Sequence, residues 1–133
     1  MTAIEKFEDI RAWQKGRELC QRVYQTTQQG SLRRDWALCN QMRRAAVSIP
    51  SNIAEGFESQ NNRTFVRHLY IARGSSAEVR AQAYVALDQG YLTQEIFDGI
   101  YDLCRDIGRL LTAFIAYLEQ HPNGKPHPTN PRP

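Results

Sequence analysis

One proline inside an otherwise regular helical pattern constrains the fold of this chain more than any other feature. The apolar residues around Pro50 keep helical spacing on both sides of it, at Cys39, Met42, Ala46, Ile49 and Ile53. Polar residues keep the same spacing on the opposite side, at Gln41, Arg44, Ser48, Ser51 and Glu55. Because both stripes stay in phase, we predict one helix that bends at Pro50, although a proline there costs roughly 3 kcal/mol or more. The alternative is a break at Pro50, with Asn52 and Glu55 forming a capping box for a new short helix.

Four helical segments account for nearly all of the chain before residue 120. We predict helices over about 9–27, with Asp9 as the N-cap, and over about 33–55, with Gly56 as the C-terminal residue. A third is predicted over about 63–88, and a fourth over about 94–119 with Thr93 as its cap. With short loops and no strand signal, residues 1–120 predict an all-α, antiparallel up-down-up-down four-helix bundle with a proline-kinked second helix. Residues 121–133 form a proline-rich tail, which cannot fold alone and which the bundle surface or a neighbouring chain would hold.

The predicted helices differ in how their apolar residues are arranged. The first helix is expected to turn one face inward, and the third and fourth each show a heptad seam. On the first helix the face comprises Ile10, Trp13, Cys20 and Tyr24, with Leu19 and Val23 beside it. The two seams are Phe65, Leu69, Ala72, Ser76, Val79, Ala83 and Ala86, and Ile96, Ile100, Leu103, Ile107, Leu110, Phe114 and Tyr117. Gly74 lies mid-helix, where glycine costs about 1 kcal/mol against alanine, so we expect a neighbouring backbone to approach it closely. The fourth helix carries a second stripe at Phe97, Cys104, Leu111 and Leu118. Its apolar band is therefore wide, which predicts either a subunit interface or a helix buried more deeply within one chain.

Charge is distributed unevenly along the 133 residues, which carry a formal net charge of +3. Residues 31–80 hold eight basic side chains, all of them arginines, and four acidic ones. Arginine favours bidentate contact with phosphate or carboxylate, so this bias indicates a polyanion, an acidic partner or internal ion pairs. The three cysteines are expected to be free apolar residues, as in a reducing compartment. No segment resembles a signal peptide or a membrane span, so we expect a soluble, cytoplasmic protein.

Five arginines are the candidate nucleic-acid-binding residues. We expect Arg43 and Arg44 on the second helix and Arg67, Arg73 and Arg80 on the third to form a basic strip that contacts phosphates. Tyr70 and Tyr84 are predicted to lie nearby as stacking platforms for bases. The alternative is that these arginines form ion pairs with Glu55, Glu58 and Glu78. On the outer face of the fourth helix, Asp102 with Arg105 and Asp106 with Arg109 are predicted local pairs.

Catalytic patterns are weak in this sequence. A metal bundle requires Glu-x-x-His pairs, and none of the three histidines follows a glutamate at that spacing, so we expect neither a metal nor another cofactor. Arg63 and His68 form an Arg-x4-His pattern that resembles the motif of the HEPN ribonucleases, but about one such match is expected by chance. Arg44, Ser48, Asn52 and Glu55 form a polar group beside Pro50, which favours a structural network over a ligand site. We therefore expect no catalytic residues.

A long motif carries a family resemblance. The run from Gln41 to Gly56, together with Phe7, Trp13 and the stretch 71–75, closely resembles the signature of four-helix-bundle proteins encoded in intervening sequences of bacterial 23S ribosomal RNA genes. The resemblance covers about residues 7–118, and the family is also similar to the accessory variability protein of diversity-generating retroelements. It implies a four-helix bundle, commonly a homopentamer, with no established catalytic activity. For the retroelement relatives it implies a basic surface that contacts nucleic acid and the reverse transcriptase.

The main hypothesis is a non-enzymatic, oligomeric helical bundle that binds RNA or DNA, or a nucleic-acid enzyme such as a reverse transcriptase, through the five arginines. A purely structural scaffold that docks other proteins is the first alternative. A ribonuclease that uses Arg63 and His68 is the second.

Overall fold

The computed structural model describes residues 3–122 and 129–131, and these residues are almost entirely helical. Four helices are present: α1 (Arg11–Thr27), α2 (Trp36–Glu58), α3 (Asn62–Asp88) and α4 (Gln94–Glu119). Two short 3-10 turns, Phe7–Asp9 and Leu32–Arg34, precede α1 and α2. The all-α prediction is therefore confirmed. Within the described ranges, none of the helices combines the length and the apolar character needed to cross a membrane.

The four helices form a closed ring around one core. Helix α1 packs against α2 and α4, and α3 packs against the same two helices. At one end of α3, the Nδ2 atom of Asn62 donates to the carbonyl oxygen of His121, just after α4, at 2.6 Å. At its other end, the hydroxyl of Tyr91 donates to Asp35, just before α2, at 3.0 Å. Helix α3 therefore runs opposite to both of its neighbours, and the α1–α2 and α3–α4 contacts lie on opposite sides of the ring.

Helix α2 continues through Pro50, so the alternative of a break there is wrong. The proline leaves the carbonyl of Ala46 without its usual helical donor. The thiol of Cys20 on α1 supplies a substitute, since its Sγ lies 3.1 Å from this oxygen. Gly16 allows the contact, because a Cβ atom there would lie 2.9 Å from Cγ2 of Ile49 and 3.5 Å from Cδ of Pro50. Helix α1 thus packs directly on the proline turn; the bend itself stays a prediction.

Two predicted helix ends are wrong. Helix α1 begins at Arg11 rather than after Asp9, because the Asp9 carboxylate instead accepts the backbone amides of Glu5 and Lys6 at 3.1 and 3.2 Å. Helix α2 ends at Glu58, so Gly56 is not its C-terminal residue.

Gly56 instead lies at the contact between α2 and α3. A Cβ atom there would lie 2.8 Å from Cβ of His68 and 3.2 Å from Cα of Phe65. The glycine therefore sets how closely the two helices approach.

The other two helices begin and end close to their predicted limits. The side chains of Asn61 and Thr93 cap α3 and α4, accepting the amides of Thr64 and Ile96 at 3.0 and 3.2 Å. Gly90, with a φ of 74°, ends α3. The predicted cap of α4 is therefore confirmed.

The apolar stripes largely coincide with the core. The predicted stripe of α2 and the seam of α3 are buried, as is most of the α4 seam, apart from Ile96, which is 40% exposed, and the half-buried Tyr117. The wide band of α4 is thus mostly buried within one chain. Helix α1 differs in part, because Tyr24 is exposed, whereas Leu19 and Val23, predicted beside that face, are fully buried. The expected close approach at Gly74 is also wrong, since no atom lies within 4 Å of a Cβ built there.

The described part of the tail is held by the bundle. Thr129 pairs with Ala3 in an isolated antiparallel bridge. The Oδ1 atom of Asn130 accepts the first amide of α1, from Arg11, at 2.9 Å, and its Nδ2 donates to the carbonyl of Asp9 at 2.8 Å. Asn130 therefore caps α1, whose own N-cap residue provides no side-chain bond. The rest of the predicted tail, residues 123–128 and 132–133, lies outside the described residues.

Candidate nucleic-acid interface

An open groove between α3 and α4 brings four arginines together. Arg73 and Arg80 from α3 and Arg105 and Arg109 from α4 line a cavity of about 490 Å³. We call this feature the basic groove. Its remaining lining residues carry no charge: Ser76, Ala77, Cys104, Gly108, Thr112, Ala113 and Ala116. A concave surface with four cations and no carboxylate in its lining attracts anions.

Helical spacing explains how the sequence builds the groove. Arg73 and Arg80 lie seven residues apart, so they project from the same side of α3 at a separation of about 10.5 Å along the axis. Arg105 and Arg109 lie four residues apart and are neighbours on α4. The residues between them are small, and no atom lies within 4 Å of a Cβ built on Gly108. The groove is therefore left open by the sequence itself.

Aromatic rings and a hydroxyl fix three of these arginines. The Cζ atom of Arg73 lies 4.8 Å from the ring centre of Tyr70, and its Nη1 donates to Oγ1 of Thr112 at 3.2 Å. Arg80 and Arg105 both lie over Tyr101, at 5.7 and 5.9 Å. Such cation–π contacts are worth about 0.5–1 kcal/mol at exposed sites. They hold the guanidinium groups in place and reduce the entropy lost when an anion binds.

The other three predicted arginines lie elsewhere. Arg43 points toward α1, where its Nε donates to Oγ1 of Thr27 at 2.9 Å and its Cζ lies 4.9 Å from the ring centre of Tyr24. Arg44 is exposed and shares a groove between α2 and α3 with Glu78. Arg67 is exposed on α3. Because Arg43 lies on the α1–α2 side, opposite the basic groove, it does not join Arg73 and Arg80 in one strip within a single chain.

Sequence reasoning missed Arg105 and Arg109. Each was assigned to a local pair with an aspartate three residues before it, but both line the basic groove. The available signal was the run of small residues at 108, 112, 113 and 116, which shares their side of α4. That run indicates that α4 leaves space beside α3 there.

The two predicted stacking platforms, Tyr70 and Tyr84, already contact other side chains of the same chain. The face of Tyr70 is covered by Arg73, as described above. The ring of Tyr84 packs 4.8 Å from that of Phe97 and 6.1 Å from that of Tyr101, measured between centres. Both tyrosines are nonetheless 43% and 47% exposed, so these contacts orient the rings without burying them.

The polar group beside Pro50 is mainly a structural network between α2 and α3. The Nδ2 atom of Asn52 donates to the carbonyl and the hydroxyl of Ser48 at 2.8 and 3.0 Å, and Ser75 donates to the same hydroxyl at 2.9 Å. Oδ1 of Asn52 lies 2.9 Å from Nδ1 of His68. Since this oxygen can only accept, Nδ1 of His68 carries the hydrogen. Arg44 and Glu55, also predicted in this group, are exposed.

This network also determines the geometry of the Arg-x4-His pattern. His68 is only 9% exposed and is held by Asn52, whereas Arg63 is exposed. Five residues at about 100° each place the two side chains about 140° apart around α3. Within one chain they do not converge on a shared substrate position.

The cysteines are free thiols, with the character of apolar residues. Burial raises the pKa of Cys104, at the edge of the basic groove, from 9.0 to about 12, although Arg80 acts in the opposite direction. Burial likewise raises the pKa of Cys20 to about 11. Neither thiol is activated as a nucleophile. Over the ranges that the structure covers, no three potential metal-binding side chains cluster together.

Comparison with known proteins gives a consistent result. A family model described as 23S rRNA-intervening sequence protein matches residues 8–113. A crystal structure of a protein of unknown function from the S23 ribosomal protein family, from Bacteroides thetaiotaomicron VPI-5482, superimposes with a TM-score of 0.73. The two sequences are 23% identical, and the alignment covers 79% of this chain and 95% of the other, so this likeness supports the fold alone. No curated protein matches the sequence.

Proposed function

Because this chain belongs to the 23S rRNA-intervening sequence protein family, we propose that it is a non-enzymatic, oligomeric, cytoplasmic bundle that binds RNA through the basic groove. The observation that carries the proposal is the convergence of four arginines in a groove whose lining has no carboxylate. The family name links its members to the genes of 23S ribosomal RNA, so fragments of that RNA are the first ligands to test. By resemblance, a retroelement-type reverse transcriptase is a further partner to test.

Phosphates are the groups that such a groove suits best. Guanidinium groups bind phosphate oxygens in a bidentate manner, and contacts to phosphates carry no sequence information directly. We therefore propose binding that is strong at low salt and largely independent of sequence. Arg43, Arg44 and Arg67 remain predicted contacts outside the groove, with smaller individual effects.

Apolar side chains on the outer surface of α3 support an oligomer. Tyr70, Ile71, Tyr84 and Val85 are between 43% and 48% exposed. They form two pairs on roughly the same side of α3, about 21 Å apart along its axis, and a row of exposed apolar side chains on one helix face is a candidate interaction surface. The family resemblance favours five subunits. A native mass five times the 15.3 kDa of one chain is the expected result, and a monomer at working concentration would remove the oligomer from the proposal.

Charge reversal tests the groove. The double variant Arg73→Glu and Arg80→Glu should abolish RNA binding measured by fluorescence anisotropy at low salt. A matched control, Arg17→Glu with Arg22→Glu, makes the same change in net charge at two exposed residues of α1 that are neither in the groove nor predicted contacts. For the native protein, four phosphate contacts predict a slope of log K against log salt of about −3 to −4. The groove variant should be folded by circular dichroism and the control pair should retain most of its affinity.

Three results would change the conclusion. Equal losses in the two double variants would mean that overall charge, rather than the groove, governs binding. No binding by the native protein at low salt would remove the RNA proposal. Cleavage of the RNA that is lost in His68→Ala would instead show a ribonuclease.

A structural scaffold is the second candidate, since Glu78 lies in the same groove as Arg44 and offers partial neutralisation within the chain. If a scaffold is correct, the assembly should form normally while RNA binding is absent.

A further inference from the structure

The corner between α1 and α2 carries the most exposed large apolar side chain in the described part of the molecule. Trp36, the first residue of α2, is 78% exposed, while the next most exposed, Val85, is at 48%. Arg33 and Arg34, in the short turn just before it, are exposed as well. We call these three residues the aromatic corner.

The backbone of this corner is fixed on both sides of Trp36. Leu32 is fully buried, and its carbonyl oxygen accepts a hydrogen bond from the thiol of Cys39 at 3.1 Å. The two oxygens of the Asp35 carboxylate accept the amide of Leu38 at 3.1 Å and the hydroxyl of Tyr91 at 3.0 Å. Burial also raises the pKa of Cys39, which keeps its thiol protonated as a donor. The exposure of Trp36 is therefore built into an anchored turn.

Trp36 also differs from three tyrosines of α3 and α4. The faces of Tyr70 and Tyr101 carry guanidinium groups, and Tyr84 packs against other rings. No ring-to-ring or cation–π contact is present at Trp36 among the described residues, so its indole remains free to stack. A ligand that suits this corner therefore combines a flat aromatic face for Trp36 with negative charge for Arg33 and Arg34. A nucleotide combines both in one unit.

We propose that the aromatic corner is a second nucleic-acid contact, at which Trp36 stacks on an unpaired base while Arg33 and Arg34 hold the adjacent phosphates. This inference rests on the proposed RNA-binding function and makes it more specific. The corner belongs to the junction of α1 and α2, whereas the basic groove belongs to α3 and α4. The groove contacts backbone phosphates in any form of RNA, and the corner adds a preference for single strands. Indole stacking is tolerant of sequence, because every base has an aromatic face.

The tryptophan itself supplies the test. In a Trp13→Phe background, Trp36 is the remaining tryptophan and reports on its own surroundings. Titration with a single-stranded oligouridylate of about ten nucleotides, within the usual range of single-strand site sizes, should quench its fluorescence. A blunt RNA duplex should bind without quenching.

In the otherwise native protein, with Trp13 retained, Trp36→Ala should weaken single-strand binding at least about fivefold, as expected for one lost stacking contact. The matched variant Trp36→Phe keeps an aromatic face and should stay within about twofold of the native protein.

The failures of the two proposals are distinguishable. If duplex and single strand both bind but Trp36→Ala leaves both affinities unchanged and no quenching occurs, the aromatic corner is refuted and the RNA-binding function stands. If the native protein binds neither RNA at low salt, both proposals fail. A change in native mass caused by Trp36→Ala would overturn the corner in favour of a contact between subunits. Quenching or a blue shift with anionic phospholipid vesicles, but not with RNA, would overturn it in favour of a membrane surface.

Discussion

Replacing Gly56 with alanine should destabilise the protein, although alanine is the better helix former. In an unobstructed helix interior, the change from glycine to alanine stabilises by about 1 kcal/mol. At this position the added Cβ would lie 2.8 Å from Cβ of His68 and 2.9 Å from Cδ1 of Phe65. Its distance to the α3 backbone, at Cα of Phe65, would be 3.2 Å. Cβ of His68 and Cα of Phe65 do not move when a side chain rotates about χ1, so a change of rotamer cannot relieve the overlap.

The magnitude follows from two opposing effects. Overpacking a close helix contact costs typically about 1–3 kcal/mol, because side chains leave their preferred rotamers and the backbones move apart. Movement of His68 also disturbs its 2.9 Å contact with Asn52, which adds to the cost. After the gain in helix propensity is subtracted, overpacking leaves about 0–2 kcal/mol. The disturbed hydrogen bond adds up to about 1 kcal/mol, so we expect a net loss of about 1–2 kcal/mol. At this chain length, that corresponds to a fall in Tm of several degrees.

Gly74 provides the matched control, because it too lies inside a helix and has no atom within 4 Å of the position of an added Cβ. Gly74→Ala should stabilise by about 1 kcal/mol, so the two variants should differ by about 2–3 kcal/mol. Urea unfolding followed by circular dichroism, at one fixed protein concentration, measures both. If Gly56→Ala is as stable as Gly74→Ala, the close approach of α2 and α3 at Gly56 does not exist and the reasoning is refuted.

Two further predictions concern the cysteines. Cys20→Ala should lower the free energy of unfolding by about 1 kcal/mol, because it removes the hydrogen-bond donor to the Ala46 carbonyl. The loss should be smaller in a Pro50→Ala background, where a backbone amide donates to that carbonyl again. Equal losses in the two backgrounds, measured by urea unfolding, would show that the thiol does not replace the missing amide. Because burial raises the pKa of Cys20 to about 11 and of Cys104 to about 12, the folded thiols keep their protons above the ordinary value of 9.0. Their contribution to stability is thus complete below about pH 9 and is lost as the pH rises toward 11 and 12. Alkylation by iodoacetamide at pH 8, followed by mass spectrometry, should be slow for both unless urea is added, and rapid uptake by the folded protein would disprove this.

Most of the fold could be predicted from the sequence because it depends on apolar residues that recur at helical spacing and are buried together. The seams of α2 and α3 repeat every three or four residues, and burial follows that period. The errors occur where a contact distant in sequence replaces a local rule. Asp9 is a good N-cap by composition, but Asn130 in the tail supplies the cap of α1 instead. Gly56 resembles a helix terminus, but the position of α3 explains why it is glycine.

The candidate site was less predictable for a related reason. Periodicity on one helix placed Arg73 and Arg80 on the same side, but it does not show which helix faces that side. Arg105 and Arg109 could be added only once α3 and α4 were seen to be neighbours. The same limit applies to Trp36, since its exposure depends on how the turn before α2 is anchored by Leu32 and Asp35, rather than on its own position in a helical pattern.

The glycines show how one residue type builds both the closed and the open sides of this bundle. Gly16 and Gly56 lie where α1 and α3 press against α2, and a side chain at either position would collide with the neighbouring helix. Gly108 lies on the α3–α4 side and meets no atom within 4 Å, so it lines an open groove. A glycine in a helix interior weakens the helix unless a contact compensates. On the α2 side the compensation is close packing within the chain. At Gly108 none is present among the described residues, as at Gly74, so in the basic groove the missing side chain leaves open space between the arginines rather than a close helix contact.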